Sequence, residues 1–141
     1  MLTVNRLNQT EAKLIIDGAV IKAKEFGVPM CISVVDESGN LLAFERMDGG
    51  KIHSITLSQD KAFTAASARK GIFNQACIPG HENNLFGIHT ALGGRMCIVG
   101  GGLPITFQGE VVGGIGVSSG SPEQDLGCAQ AGVDTFEQLS S

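Results

Sequence analysis

The stretch LPITFQGEVVGGIGVS, residues 103–118, decides the fold because it joins two strand patterns through a turn. In Leu103–Phe107, apolar side chains alternate with other residues, which is typical of a strand with one buried face. Gln108–Glu110 has the composition of a turn, and a second strand pattern fills Val111–Ser118. Strands joined by so short a turn pair antiparallel, so the stretch predicts a hairpin.

One face of the second strand is almost bare, because Gly114 and Gly116 carry no side chains there. Such a face admits another backbone, a helix or a flat ligand, which makes both glycines candidate ligand contacts. Close packing and turn geometry are the alternative. A dinucleotide site is disfavoured, because Gly120 comes one residue too late for the GxGxxG pattern and the stretch leaves the last strand rather than the first.

Outward from this hairpin, helical and strand periodicities predict a single α+β domain over residues 1–141. The predicted order is α-β-β-α-loop-β-β-β-α, with the long loop at 71–94 holding a short helix near 82–88. The predicted helices are Thr10–Phe26, Ser54–Lys70 and one beginning at Ser121–Glu123, and the other predicted strands are Met30–Asp36, Leu41–Arg46 and Arg95–Val99.

Composition excludes several classes of partner. The net charge of −4 and the lack of Trp and Tyr argue against nucleic acid, which needs a basic patch and stacking rings. Only 17% of residues are charged, below the roughly 25% of ordinary domains, so we expect a homo-oligomer. The sequence shows neither an apolar run long enough for a membrane span nor a signal-peptide pattern, so we expect a cytoplasmic protein without membrane contact.

The chain has four cysteines, Cys31, Cys77, Cys97 and Cys128, and no two of them have CxxC spacing. Their spacing therefore disfavours a zinc ribbon and a thioredoxin-type motif. A chain of this length needs no disulfides to fold, and we expect buried, reduced thiols.

The three histidines, His53, His81 and His89, are candidate ligands for iron or another metal. His81 is the best of them, because it lies in a Gly/Pro-flanked loop beside Glu82, whose carboxylate can orient an imidazole ring. The spacing of His81 and His89 does not match the HExxH pattern of zinc proteases. The alternative for each is a solvated or capped loop histidine.

Lys61 lies in the middle of a predicted helix among small residues, where it can bind an anion or form a Schiff base. The alternatives are a solvated lysine or one paired with a carboxylate such as Glu45. Asp36 and Asp125 lie at strand ends where a cleft can open, although capping or turn roles also explain them. These three residues are candidate ligand-binding or catalytic groups.

Five motifs resemble the GlcG/HbpS-like family, in the right order and over essentially the whole chain. They are Pro29–Leu41 with its VVDESG core, Arg46–Gly49, Lys61–Ala65 with the pattern KAxTA, Gly101–Ile105, and Gly113–Ser118 followed by Gln124-Asp125. The resemblance extends to members encoded beside glycerol and diol dehydratase genes.

The resemblance implies a profilin-like fold, a five-stranded antiparallel sheet of order 2-1-5-4-3 with flanking helices. It also implies homo-oligomers, such as octamers, and haem as the ligand of some members. One branch ligates haem through a histidine of the first helix, and Thr10–Phe26 holds none. Haem here would have His81, His53 or His89 as its ligand, or a weak oxygen ligand, or none. Arg46, Lys51 and Lys61 are the available cations for its propionates.

Two functional hypotheses follow. The first is an oligomeric small-ligand binding protein whose ligand is haem or another tetrapyrrole. The second is an accessory protein or small enzyme of glycerol, diol or glycolate metabolism, in which Lys61, Asp36 and Asp125 line a cleft for a hydroxylated or carboxylated compound. Whether the protein is an enzyme stays open, as does a purely structural assembly role.

Overall fold

Two helices of the described residues begin at the capping residues that predict them. The computed structural model describes residues 1–71 and 86–141. Helix α1 (Gln9–Phe26) starts at an Asn8–Glu11 capping box and ends at Gly27, which adopts a left-handed conformation. Helix α2 spans Ser54–Ala68, and helix α3 (Pro122–Ser140) starts at a second capping box formed by Ser121 and Gln124.

The strands form one antiparallel sheet. They are β1 (Cys31–Asp36), β2 (Leu41–Arg46), β3 (Gly102–Phe107) and β4 (Glu110–Ser118), in the spatial order β2-β1-β4-β3. The hairpin of β3 and β4 confirms the prediction from residues 103–118. Central strand β1 is buried along its whole length, which accounts for its unbroken apolar run.

The two faces of the sheet are covered differently. Helices α1 and α3 pack together on one face over the main apolar core, which includes Ile15, Ile32 and Ile115. Helix α2 lies on the other face, where it packs on β4, β1 and β3. The domain is therefore α+β, with its core on the α1–α3 side.

The prediction of a fifth strand at Arg95–Val99 is wrong, since four strands make up the sheet of the described residues. The Thr64 side chain of α2 forms hydrogen bonds with the backbone of this segment instead. Its hydroxyl donates to the Arg95 carbonyl at 3.1 Å and accepts from the Cys97 N–H at 2.8 Å. These groups are therefore unavailable to a strand ladder, and the predicted order 2-1-5-4-3 loses its last member.

Between α2 and β3, the described part of the chain contains two short 3-10 helices, Ile88–Thr90 and Leu92–Gly94. Most of the helix predicted near residues 82–88 lies outside the described residues. Among residues 1–71 and 86–141, no helix combines the length and apolar character needed to cross a bilayer.

Candidate functional site

Helix α2 occupies the bare glycine face of β4. A Cβ atom on Gly114 would lie 2.7 Å from the Ala62 carbonyl oxygen, and one on Gly116 would overlap the Ser58 carbonyl. The absence of side chains thus allows a helix backbone to approach the sheet. Both glycines therefore serve close packing in this structure. Helix α2 fills the space beside them in which we expected a flat ligand.

Buried hydroxyl groups complete the contact between α2 and the sheet. The Ser33 and Ser58 hydroxyls are 2.8 Å apart, and the Ser118 hydroxyl donates to that of Ser54 at 3.0 Å. These serines satisfy one another where apolar side chains of larger size would not fit. Sequence reasoning identified the small face of α2 but not these pairs.

The structure brings Lys61 and Asp125 together at the end of β4. The Lys61 Nζ atom lies 3.0 Å from Asp125 Oδ2 and donates to the Val117 carbonyl at 2.8 Å. Both residues are buried, with Lys61 fully inaccessible. Asp125 also accepts a hydrogen bond from the Gly120 N–H at 2.9 Å through its other oxygen. The partner of Lys61 is therefore Asp125, not Glu45.

Gly101 closes this ion pair off from solvent. Its φ of +125° favours glycine, and a Cβ atom there would lie 2.8 Å from the Asp125 Cβ and 3.0 Å from the Lys61 Nζ. The Gly101 carbonyl accepts from the Val117 N–H at 2.9 Å, which fixes this backbone over the pair. Because Lys61 is fully enclosed here, it presents no free amine to an anion or a carbonyl compound in this conformation.

Asp36 lies at the opposite end of the sheet. The register pairs Asp36 with Gly113, whereas Cys31 at the start of β1 pairs with Ser118. The two ends are about 17 Å apart, at roughly 3.3 Å per residue. Asp36 therefore does not share a cleft with Lys61 and Asp125, and the three predicted residues do not converge.

The Asp36 carboxylate organises the turn between β1 and β2. Its Oδ1 atom accepts from the Ser38 N–H at 2.9 Å, the Ser38 hydroxyl at 2.8 Å and the Asn40 N–H at 3.0 Å. The Arg6 Nε atom lies 3.6 Å from Oδ2. Burial raises the pKa of Asp36, but these hydrogen bonds and the Arg6 charge outweigh it, so the pKa lies below its ordinary value.

Arg46, the last residue of β2, is exposed, as are Lys51 and His53 after it. Residues 46–53 together are called the β2–α2 connection. The Arg46 Nε atom donates to the Gly50 carbonyl at 3.2 Å, so the guanidinium folds back over this connection. His53 precedes α2 and makes no capping hydrogen bond with its side chain. Its neighbour Ile52 is 77% exposed. The connection thus presents an imidazole, two cations and an aliphatic side chain to solvent.

His89 is also exposed, and its ring contacts the Phe86 ring edge to face at a centroid distance of 6.3 Å. His81 lies outside the described residues. Within residues 1–71 and 86–141, no cluster of three or more His, Cys, Asp or Glu side chains is placed to hold a metal ion.

Three of the four cysteines, Cys31, Cys97 and Cys128, are buried free thiols, which confirms the prediction for them. Cys77 lies outside the described residues. Burial raises the pKa of the Cys128 thiol to about 11, and the Asp125 charge adds to this effect. A thiol with so high a pKa is a poor nucleophile at neutral pH.

A surface cavity of about 190 Å³ lies between the N-terminal arm, the sheet and α3, away from the Lys61–Asp125 pair. Leu7, Phe107 and Phe136 form its apolar wall, while Asn5 and Glu11 add polar atoms. Its size and mixed lining suit a small hydroxylated molecule.

Comparisons with known sequences agree with the motifs. The profile of the family described as "Haem degrading protein HbpS-like" matches residues 7–134. An uncharacterized 15.0 kDa protein from the dhaT-dhaS intergenic region of Citrobacter freundii is 39% identical over 130 residues, covering 91% of this chain and 90% of that protein. The corrinoid adenosyltransferase PduO of the same organism is 33% identical over 117 residues, and the match covers only 34% of that longer enzyme.

Solved structures show the same fold. The Klebsiella pneumoniae protein ORFY superposes with a TM-score of 0.93 at 35% identity, covering 97% of this chain and 94% of that one. The PduOC:Heme complex superposes with a TM-score of 0.86 at 30% identity, covering 92% of this chain and 94% of that one. Both likenesses extend over nearly the entire chain.

Proposed function

The chain belongs to the HbpS-like family, and on that basis we propose that it is an oligomeric small-ligand binding protein whose ligand is haem or another tetrapyrrole. The likeness to the PduOC:Heme complex, at 30% identity over 92% of this chain, carries the proposal. The composition supports the oligomer, because few charges leave apolar surface for contact between copies.

The connection between β2 and α2 has the chemistry that a porphyrin needs. His53 offers an exposed imidazole for the iron, Arg46 and Lys51 offer cations for the propionates, and Ile52 offers apolar surface. Bound haem would supply its own iron chemistry, and these residues would bind and orient it. Lys61 is less suited to a propionate, because its ammonium is enclosed with Asp125.

Haemin titration tests the proposal. We expect a saturable shift of the Soret band at one haem per one or two chains in the wild-type protein. The variants His53→Ala, His89→Ala and His81→Ala then compare the three histidines, and we expect His53→Ala to change the Soret position most. A titration of the wild type that never saturates would overturn haem binding. Saturation that all three variants retain unchanged would remove histidine ligation.

The 190 Å³ cavity favours a second candidate function, binding or conversion of a small hydroxylated or carboxylated compound in glycerol or diol metabolism. The relative from the dhaT-dhaS region supports this candidate. In that role Asn5, Arg6 and Glu11 replace the predicted trio, because the fold encloses Lys61 with Asp125 and places Asp36 at the other end of the sheet.

Thermal unfolding with added glycerol, 1,2-propanediol or glycolate tests the second candidate. Specific binding raises the Tm along a saturating curve, whereas exclusion of an osmolyte from the surface raises it without saturation. We expect saturation with at least one compound, and its loss in a Phe107→Trp variant that narrows the cavity. A Tm that rises only linearly with each compound would contradict the candidate.

A further inference from the structure

The β2–α2 connection is anchored to the sheet through the backbone of Lys51. The Lys51 N–H donates to the Ser119 hydroxyl at 3.1 Å. The Lys51 carbonyl accepts from the Ser54 N–H at 3.1 Å and from the Cys31 thiol at a sulfur–oxygen distance of 3.8 Å. Both backbone groups of Lys51 are therefore hydrogen-bonded, although the residue as a whole is exposed. This anchoring fixes how the backbone runs from Lys51 into the start of α2.

Ser119 is a buried residue with an unfavourable backbone conformation. It directly follows β4 and is 7% exposed. Its φ of +119° is one that residues with a side chain rarely adopt, whereas glycine adopts it without strain. Strain of this kind persists where the surrounding structure enforces it, and it is common beside ligand sites. The hydroxyl group, which glycine lacks, is the acceptor for the Lys51 N–H. Ser119 thus combines a strained backbone with an anchor of the connection.

The turn that precedes Lys51 also has a defined shape. The Gly50 N–H donates to the Met47 carbonyl at 2.9 Å, and the Gly50 carbonyl accepts from Arg46 Nε at 3.2 Å. A Cβ atom on Gly50 would lie only 3.1 Å from the Met47 carbonyl oxygen, so this turn is closely packed. The hydrogen bond from Lys51 to Ser119 ties this preformed turn to the end of β4.

We propose that Ser119 is a positioning residue for the ligand of the β2–α2 connection. Its hydroxyl holds the Lys51 backbone, and with it the exposed side chains of Lys51 and His53, in the arrangement that the ligand meets. A site whose groups are held in place beforehand avoids the entropic cost of ordering them on binding. The inference rests on the proposed function, because it takes this connection as the ligand site. Ser119 is buried and acts through Lys51 rather than by touching the ligand.

Two substitutions of Ser119 separate positioning from stability. Ser119→Ala removes the hydroxyl but keeps the strain, because alanine retains a Cβ atom, whereas Ser119→Gly removes both. We therefore expect a higher Tm for Ser119→Gly than for Ser119→Ala. Both variants should nevertheless weaken haemin binding to the same extent, by about tenfold relative to the wild type, since neither can accept the Lys51 N–H. Haemin titration at the Soret band and thermal unfolding of the full chain measure the two effects.

Ser33→Ala is the matched control. The Ser33 hydroxyl is also buried, and it lies 2.8 Å from the Ser58 hydroxyl between the sheet and α2, away from the connection. We expect this variant to have a lower Tm and an unchanged affinity for haemin. Affinities that follow the Tm values, so that Ser119→Gly binds haemin more tightly than Ser119→Ala, would overturn the proposal. Wild-type affinity in both Ser119 variants would also overturn it.

Hydrogen exchange tests the anchoring without haem. Peptides that cover residues 48–53, followed by mass spectrometry, should exchange faster in both Ser119 variants than in the wild type or in Ser33→Ala, because the Lys51 N–H loses its acceptor. Unchanged exchange in the Ser119 variants would overturn the proposal. Faster exchange in these variants, together with a wild type whose haemin titration never saturates, would overturn the proposed function while confirming that Ser119 anchors the connection.

Discussion

The two ends of the central strands carry carboxylates in opposite settings. At the end of β4, Asp125 is enclosed with Lys61 under the Gly101 backbone. At the end of β1, Asp36 orders a turn and lies beside Arg6, whose side chain is 53% exposed. The first carboxylate neutralises a cation that solvent cannot reach, and the second, which is also buried, accepts backbone N–H groups of a turn.

Candidate catalytic residues therefore need not share one cleft, even when each lies at a strand end. A buried lysine stabilises a fold only while its charge is paired, so the Lys61–Asp125 pair fixes how α2, β4 and α3 meet. The exposed groups of the β2–α2 connection do not hold secondary-structure elements together in this way. The molecule thus has an enclosed pair with a structural role and, on the proposed function, an exposed surface that binds the ligand.

The largest effect should come from breaking the enclosed pair. Lys61→Met leaves Asp125 buried without its cation, and we expect a loss of about 3–5 kcal/mol in the free energy of unfolding. Urea denaturation followed by circular dichroism measures it. Adding Asp125→Asn removes the stranded charge while keeping an acceptor for Gly120, so the double variant should recover part of the loss. A double variant less stable than Lys61→Met would contradict the pairing.

Gly116→Ala should have the next largest effect. The new Cβ atom overlaps the Ser58 carbonyl, which belongs to the α2 backbone and has little freedom to move. We expect a loss of roughly 3 kcal/mol, at the upper end of ordinary overpacking. Gly71→Ala is the matched control, because its Cβ meets Leu103 at an ordinary 3.7 Å. Equal Tm values for the two variants would show that α2 does not pack as described.

At the other end, Asp36→Asn should remove about 2 kcal/mol at neutral pH, because charge-assisted hydrogen bonds to Ser38 and Asn40 weaken. The folded pKa of Asp36 is lowered, so its stabilisation is present above the unfolded pKa near ~3.9 and is lost as pH falls through the folded pKa. The difference between wild type and variant in the free energy of unfolding should therefore be larger at pH 7 than at pH 3. An equal difference at both values would assign the effect to packing.

The smallest effect should come from Arg6→Ala. Arg6 donates to the Glu37 carboxylate from Nε at 2.9 Å, but its exposed guanidinium is screened by salt. We expect the Tm to fall less than in Asp36→Asn, and the difference from wild type to shrink further in 0.5 M NaCl, where the Debye length is under ~5 Å. A fall in Tm that does not change with salt would contradict this, because it would show that the Arg6 charge is shielded from solvent.

Periodicity and capping residues predicted the local elements well. The β3–β4 hairpin, β1, β2 and the three helices lie where alternation, Asn8 and Pro122 indicate, because those signals act within a few residues. The strand at Arg95–Val99 was wrong because its apolar pattern says nothing about the Thr64 hydroxyl, 31 residues away from Arg95 in sequence, that binds its backbone. A distant partner of this kind leaves no periodic signal.

The candidate site was less predictable for the same reason. Lys61 and Asp125 were both singled out, yet the spacing of 64 residues between them gave no reason to prefer Asp125 over Glu45 as the partner. The small residues of α2 and the glycines Gly114 and Gly116 of β4 both indicate a backbone that another element approaches closely. Together these two patterns are the sequence signal that α2 packs on β4. Arg46, Lys51 and His53 share the chemistry that a haem site needs, and the fold brings them together between the end of β2 and the start of α2.

Haemin titration followed at the Soret band, on the wild type and the folded Lys61→Met, Asp125→Asn double variant together, tests the central claim most directly. The account predicts saturable binding in both proteins, with affinities within about twofold, or roughly 0.4 kcal/mol at RT ln 2, because the enclosed pair does not meet the ligand. Absent saturation in the wild type would contradict the proposed function. Saturation in the wild type that the folded double variant loses would place the ligand at the pair and contradict the division between the two ends.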